Sequence, residues 1–139
     1  MDAKVVWKEE LSFSGTADSG FSLPLGTEKE VGGKDDGFRP MELLLIGLAG
    51  CTAMDVISIM KKKQQDVTHF EVKVHADRTQ EHPKVFTNIE LEYMLTGRHL
   101  DQNAVSRSVE LSETKYCPAM ATLRKAVDIK TRITVKEAV

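Results

Sequence analysis

Two cysteines, Cys51 and Cys117, are the residues of this sequence best suited to covalent chemistry. A thiolate is a strong nucleophile that can be oxidised reversibly to a sulfenic acid and then to a disulfide. Free cysteine is also among the most buried residue types, and a thiol packed into a core is usually inert. Taken singly, each cysteine is more simply explained by packing, so a redox role requires that the two act together.

The local surroundings of the two cysteines differ. Cys51 falls within a predicted helix, with Gly47 about one turn before it and Gly50 adjacent to it. Glycine inside a helix costs about 1 kcal/mol relative to alanine, so either a reactant or a second helix approaches closely there. Cys117 precedes Pro118 at a predicted helix start, where unpaired N–H groups and the helix dipole stabilise a thiolate. This context predicts that Cys117 is the more acidic thiol.

The other polar residues do not support an alternative chemistry. No CxxC or HxxxH spacing occurs, and the four histidines are scattered, so we expect no metal site. No phosphate-binding loop or Gly-x-Gly-x-x-Gly pattern is present, so we expect no nucleotide cofactor. No serine lies in a nucleophile-elbow context, which argues against a hydrolase. The histidines are His69, His75, His82 and His99.

Length, composition and charge favour a cytosolic globular protein. The 139 residues suit a single domain over 1–139, and 41% hydrophobic with 29% charged residues is ordinary. A net charge of -2 offers no basic field for nucleic acid or membrane. The apolar run over 43–54 is shorter than the roughly 20 residues of a membrane span and predicts a buried helix. No secretory signal is visible, and a permanent disulfide is not expected in the reducing cytosol.

The first half of the sequence is predicted to form strands followed by a long helix. Residues 4–26 alternate between apolar and polar types and are interrupted by glycines, which predicts strands joined by turns. Residues 27–38 are predicted to form a charged loop that contains three glycines. A helix from Pro40 to about residue 64 would carry Cys51. Its first four turns are apolar nearly all round, so it must be covered on most sides. A partner subunit could provide part of this cover, which predicts a homodimer.

The second half is predicted to form a hairpin, two shorter helices and a strand. Residues 70–77 and 85–95 alternate as an antiparallel hairpin with one solvent-exposed face and one apolar face, to which Val85 belongs. Asp101 is the expected N-cap of a helix over 102–113, and Pro118 begins a third helix over 118–127. Residues 129–135 form the last strand.

Two stretches of the sequence resemble the osmotically inducible protein C / organic hydroperoxide resistance (OsmC/Ohr) family. Residues 39–51 contain a Pro-x-Glu-Leu-Leu run and a small-residue helix ending in Ala-Gly-Cys, and Cys117-Pro118-Ala119 follows at an interval similar to the family's. The order of elements agrees over nearly the whole chain. Residues 30–35 and 39–43 are more similar to the less characterised OsmC-like branch than to the two best-known ones.

The resemblance implies an α+β fold in which antiparallel sheets wrap around a long central helix. It further implies an intertwined homodimer with two active sites at the subunit interface, and thiol peroxidase activity. Cys51 would attack the peroxide and become a sulfenic acid, and Cys117 would condense with it to a disulfide. An external dithiol of unknown identity would reset the pair, and no cofactor or metal would take part.

The sequence departs from this pattern at the charged residues that assist the first cysteine. In the best-known branches, an arginine of the N-terminal strands stabilises the thiolate, oriented by a glutamate ten residues before the cysteine. Here no arginine precedes Arg39, and Met41 occupies the glutamate position. Our candidates are Arg39 for the cation and Glu42 for its orienting partner. Alternatively, Arg39 is a solvent-facing residue before the helix.

Three functions therefore remain open. The main hypothesis is a peroxide reductase that acts on organic hydroperoxides in oxidative stress defence. The second is a redox sensor, or a protein that binds a small apolar ligand, on the same fold without rapid catalysis; the missing arginine and Met41 favour it. The third is a structural dimer with inert thiols. The expected partners are a hydroperoxide, a dithiol and a second copy of the chain, with neither nucleic acid nor membrane.

Overall fold

The computed structural model describes residues 1–139, which divide into two compact units, Met1–Leu44 and Leu45–Val139. The first unit holds an antiparallel three-stranded sheet in the order β1-β2-β3. Its strands are β1 (Ala3–Glu9), β2 (Ser12–Ala17) and β3 (Ser22–Leu25), which confirms the strands predicted within 4–26. One 3-10 turn, Lys29–Val31, interrupts the predicted loop.

The long helix α1 (Pro40–Lys62) confirms the element predicted to carry Cys51. Proline suits the first helical position because its missing N–H would have no partner there. Lys61 and Lys62 lie in the last turn, where cations complement the negative end of the helix dipole. The helix ends two residues earlier than predicted, and Gln64 follows in the left-handed region with φ 56°.

The second unit holds the predicted hairpin and a strand that pairs in parallel. Strands β4 (Asp66–Arg78) and β5 (Phe86–Arg98) are antiparallel, and β6 (Asp128–Glu137) pairs parallel to β5, giving the order β4-β5-β6. Helices α2 (Gln102–Leu111) and α3 (Pro118–Leu123) lie in the connection between β5 and β6. Asp101 caps α2 as predicted, because its Oδ1 accepts the N–H of Asn103 at 2.9 Å.

Three predicted details differ from the structure. Helix α2 stops at Leu111, and a π-helical turn, Ser112–Tyr116, replaces the rest of the predicted helix. Proline disfavours helical backbone at the residue before it, and Cys117 is accordingly extended, with φ -79° and ψ 106°. Helix α3 ends at Leu123 rather than at residue 127. Val85, predicted to point inward, precedes β5 and is 52% exposed.

The core of the second unit lies between one face of its sheet and the helices. A stripe along α1 at every fourth residue is buried, as are the inward-facing residues of β5 and the inner side of α2. By length and composition alone, helix α1 could cross a membrane, although its uninterrupted apolar run is short. Its buried stripe and its hydrogen-bonded polar side chains are those of a core helix. The buried stripe is Leu48, Thr52, Val56 and Met60.

Another face of α1 is not covered by its own chain. Leu44, Ile46 and Met54 are 47%, 51% and 73% exposed. A Cβ atom added to Gly47 or Gly50 would meet nothing within 4 Å. The helix was expected to be covered on most sides, and a single chain does not provide that cover.

Candidate functional site

The structure brings Cys51 and Cys117 together in the second unit. Cys51 lies half-buried in α1, and Cys117 is 2% exposed at the N-cap of α3. Both thiols are free and belong to the same apolar cluster. Cys51 lies close enough to Cys117 to influence its ionisation. The pair can therefore act as a dithiol, as a redox role requires.

Burial makes Cys117 a weak acid. Desolvation, together with the neighbouring Cys51, raises the pKa of Cys117 to about 11. The N–H of Met120, which donates to the Cys117 sulfur at 3.3 Å, and the N–H of Ala119 only partly oppose this shift. The prediction that Cys117 is the more acidic thiol was wrong, because burial outweighs the helix N-terminus. Cys117 therefore stays an S–H group that can donate to a thiolate at Cys51.

A buried chain of polar side chains lies beside the thiol pair, and sequence reasoning missed it. The Thr52 hydroxyl, next to Cys51 in α1, lies 2.8 Å from the Tyr93 hydroxyl and 2.7 Å from that of Ser112. Ser112 lies 2.9 Å from a carboxylate oxygen of Asp55. Tyr93 donates to Glu113 at 3.1 Å. The sequence did contain one signal for this chain. Tyr93 occupies a strand position that faces the core, and a buried tyrosine hydroxyl normally forms a hydrogen bond.

Tyr93 lies within electrostatic reach of Cys117. Burial raises the pKa of Tyr93 far above its usual value, the Thr52 hydrogen bond lowers it, and negative charge on Glu113 and Cys117 raises it further. The Tyr93 hydroxyl therefore keeps its proton and acts as a donor. Thr131 donates to both carboxylate oxygens of Glu113, at 2.9 and 2.8 Å. This polar chain thus reaches from helix α1 to strand β6.

The two charged candidates, Arg39 and Glu42, belong to the first unit. The Arg39 guanidinium pairs with Asp35 and with Glu28 at 3.5 Å, and it donates to the Gly37 carbonyl at 3.0 Å. Glu42 accepts the main-chain N–H of Arg39 at 2.8 Å. Glu42 therefore caps the first turn of α1, and the guanidinium takes its partners from the preceding loop.

Three of the four histidines lie beside single carboxylates rather than in a metal site. His75 lies 3.0 Å from Asp77, and His69 lies 3.8 Å from Glu71, both on the exposed face of β4. No group of three or more histidine, cysteine, aspartate or glutamate side chains is arranged to hold a metal ion.

Comparisons with known proteins agree with this architecture. A family model described as OsmC-like protein matches residues 33–132. Protein YhfA of Escherichia coli K12 is 42% identical over 129 residues, covering 93% of each chain. An OsmC-like protein from Mycoplasma pneumoniae shares the fold with a TM-score of 0.83 at 20% identity, covering 97% of this chain and 96% of that one. The organic hydroperoxide resistance protein OsmC of Legionella pneumophila shares it with a TM-score of 0.71 at 21% identity, covering 96% and 95%. The α+β fold predicted from the resemblance is thereby confirmed, and the chain belongs to the OsmC-like protein family.

Proposed function

We propose that the protein is a thiol-dependent peroxide reductase that acts on organic hydroperoxides in oxidative stress defence. The observation that carries the proposal is the proximity of Cys51 to a Cys117 thiol that burial keeps protonated. A relative on the same fold is named an organic hydroperoxide resistance protein, which supports the substrate class. Family membership supports a soluble protein, and we propose that its dithiol cycle runs in the cytosol.

The chemistry follows from the different states of the two thiols. The Cys51 thiolate attacks one peroxide oxygen, so the O–O bond breaks and leaves an alkoxide and a sulfenic acid at Cys51. The Cys117 thiol then displaces water from that sulfenic acid and forms the Cys51–Cys117 disulfide. An external dithiol reduces the disulfide by exchange. Hydrogen bonding from the Cys117 S–H group stabilises the Cys51 thiolate before the attack.

Arg39 and Glu42 remain our candidates for assisting the thiolate. An arginine stays charged when it is desolvated, so it suits a site that holds a thiolate. Glu42 fixes the main chain of Arg39 at the helix start, and Asp35 and Glu28 hold its guanidinium. In this proposal, Arg39 provides the cation and Glu42 acts by fixing the backbone from which the arginine side chain projects.

The proposed assembly is a homodimer. Strand β1 exposes Val5 at 59% and Trp7 at 62%, and α1 exposes Met54 at 73%. Large apolar side chains concentrated on such faces mark an interaction surface. A second copy of the chain is the partner that accounts for exposed apolar surface on both units.

The decisive experiment is a thiol titration before and after addition of one equivalent of cumene hydroperoxide. We expect two thiols to be lost per peroxide, with mass spectrometry locating a Cys51–Cys117 disulfide. Hydrogen peroxide serves as the comparison substrate, and we expect it to react more slowly. Unchanged thiol counts after prolonged exposure would rule out the reductase.

The second candidate function is redox sensing or binding of a small apolar ligand without rapid turnover. The ion pairs of Arg39 with Asp35 and Glu28 favour it, because they give the guanidinium partners other than a thiolate. Native mass spectrometry separates the two functions. A copurified ligand without peroxide consumption supports binding, and a peroxide-induced disulfide with multiple turnovers supports the reductase.

A further inference from the structure

Five oxygen-bearing side chains form a continuous hydrogen-bonded chain in the second unit, which we call the Asp55–Glu113 relay. In order, its members are the Asp55 carboxyl group, the hydroxyls of Ser112, Thr52 and Tyr93, and the Glu113 carboxyl group. Its four links measure 2.9, 2.7, 2.8 and 3.1 Å. The three hydroxyl residues are fully buried, so solvent does not complete their hydrogen bonds.

The number of protons in the relay decides its protonation state. Each of the four links needs one proton, and the three hydroxyls provide three. An ionised carboxylate can only accept hydrogen bonds. If both Asp55 and Glu113 were ionised, one of the four links would therefore have no proton, and two oxygen lone pairs would face each other there. Such an unmade bond is most costly in a buried, low-dielectric site. The main-chain carbonyl of Thr52, 3.5 Å from the Ser112 hydroxyl, adds an acceptor and no proton. Four complete links therefore require a fourth proton, on Asp55 or on Glu113.

The surroundings of the two ends favour Asp55 as the protonated one. The Glu113 carboxylate accepts from Thr131 as well as Tyr93, and Arg124 donates to the Glu113 main-chain carbonyl at 2.7 Å. The hydroxyl donors Thr131 and Tyr93 favour the ionised form of the Glu113 carboxyl group. Asp55 accepts from the single donor Ser112. The remaining titratable groups near the relay are Cys51, Lys62, Tyr116 and Cys117.

We propose that Asp55 and Glu113 share one proton through Ser112, Thr52 and Tyr93, and that Asp55 delivers it to the alkoxide formed when the Cys51 thiolate reduces a hydroperoxide. The delivery step rests on the proposed function. Asp55 follows Cys51 by four residues in α1, so both side chains lie on one helical face. Asp55 also lines a surface cleft of about 310 Å³ between α1 and the π-helical turn.

The proton and electron balance of the cycle is complete with this donor. The Cys51 thiolate is oxidised to sulfenic acid, the peroxide is reduced to alkoxide, and the Asp55 proton converts the alkoxide to alcohol. Cys117 condenses with the sulfenic acid and releases water. An external dithiol then reduces the disulfide and returns the Cys51 thiolate, the Cys117 thiol and one proton. That proton restores the relay. In this scheme Asp55 is a catalytic residue, and the three hydroxyl residues position its proton.

Infrared spectroscopy of the reduced protein tests the shared proton directly. At neutral pH, where exposed carboxyl groups are ionised, we expect a carbonyl band from one protonated carboxyl group. Tyr93→Phe and Ser112→Ala should each remove the band, because either variant leaves two links and two hydroxyl protons. Asp55→Asn should also remove it while keeping the fold, since its amide N–H can donate to Ser112.

Two matched variants control for simple loss of a buried hydroxyl. Thr52→Ser keeps the relay hydroxyl and should keep the band. Ser108→Ala removes another fully buried serine hydroxyl, which donates to the Ala104 carbonyl of its own helix at 2.7 Å, and should also keep it. A wild-type protein without the band, or a band that survives both Tyr93→Phe and Ser112→Ala, overturns the shared proton.

Stopped-flow peroxide reduction tests the delivery step. We expect Asp55→Asn to slow the first peroxide reduction by about 100-fold, a typical effect for loss of a proton donor. Tyr93→Phe should give a rate that falls with rising pH over a range where the wild-type rate is constant, because the store of protons is lost. Wild-type rates and pH profiles in both variants overturn the delivery step.

The infrared and stopped-flow experiments together separate this inference from the proposed function. If Cys51→Ser abolishes peroxide reduction while Asp55→Asn turns over at the wild-type rate, the reductase stands and the relay has no part in it. If the wild-type protein consumes no peroxide, the reductase and the delivery step both fail, and the infrared band alone decides whether the proton is shared.

Discussion

The amide N–H of Cys117 donates to the main-chain carbonyl of Ser112 at 2.8 Å, five residues earlier in the chain. This bond closes the π-helical turn, Ser112–Tyr116, and directly joins the residue that carries the second thiol to a member of the Asp55–Glu113 relay. π-helical turns are rare and frequently lie at functional sites. The position of the Cys117 sulfur and that of the Ser112 hydroxyl are therefore set by one piece of local backbone.

The two cysteine variants should fail in different ways. Cys51→Ser should lose peroxide reduction altogether, because it removes the nucleophile. Cys117→Ser should still react once and accumulate a sulfenic acid at Cys51, which a dimedone probe detects by mass spectrometry. Equal first-turnover rates in wild type and Cys51→Ser would contradict the assignment.

The raised pKa of Cys117 predicts a loss of stability in alkaline solution. Between its unfolded pKa of about 9 and its folded pKa of about 11, the unfolded chain releases the Cys117 proton and the folded chain retains it. The free energy of unfolding should therefore be constant for this group below about pH 9 and fall as the pH rises toward 11, by on the order of 2 kcal/mol.

Urea denaturation across this alkaline range measures the effect, with Cys117→Ala as the control. The variant lacks the titrating thiol, so its stability should decline less steeply than that of the wild type. Parallel curves for the two proteins would show that the Cys117 thiol titrates alike in the folded and unfolded chains.

The uncovered face of α1 allows a sharp test of the homodimer. A Cβ atom added at Gly50 would meet nothing within 4 Å. Gly50→Leu should therefore be tolerated by the isolated chain and should disrupt a dimer packed on this face. Sedimentation equilibrium of wild type and variant measures the association.

Ser106→Leu, which adds an apolar side chain to an exposed position of helix α2, provides a comparison for the dimer test. It should leave the association constant nearly unchanged. A wild-type protein that sediments as a monomer at high concentration would exclude the homodimer.

Arg39 distinguishes an electrostatic role from a role in the loop. If Arg39 provides the cation for the Cys51 thiolate, Arg39→Gln should slow peroxide reduction by at least about tenfold, and Arg39→Lys should restore only part of the rate. Arg98→Gln is the matched control, since Arg98 also pairs with an aspartate, Asp66 at 3.2 Å. If Arg39→Gln keeps the wild-type rate and loses only thermal stability, the residue is an anchor for its loop.

Most elements could be predicted from the sequence because their patterns are local. The alternation along β4 and β5, the Asp101 cap and the proline that begins α1 each depend on neighbouring residues, and the structure agrees with all three. The helix over 102–113 was overextended because the π-helical turn depends on Pro118 further along the chain. Its composition resembles that of the preceding helix, so the change of backbone leaves no periodic signal.

The chemistry of the site was less accessible from the sequence. Helix-start rules favour an acidic Cys117, whereas its pKa depends on burial by segments distant in sequence. The relay joins residues from α1, β5 and the π-helical turn. These residues are distant in the sequence, so no local motif predicts the relay. Even so, Asp55 within an apolar helix and Tyr93 among inward strand residues were both visible as polar residues in need of partners.

The parallel pairing of β6 with β5 has a consequence for biosynthesis. Cys117 lies in the connection between these two strands. The C-terminal end of that connection is held in place only when Asp128–Glu137 has been translated and has paired with β5. During synthesis, Cys51 leaves the ribosome long before this last strand does. The two cysteines are therefore held together only after β6 has been made, and until then a nascent chain carries Cys51 without its partner.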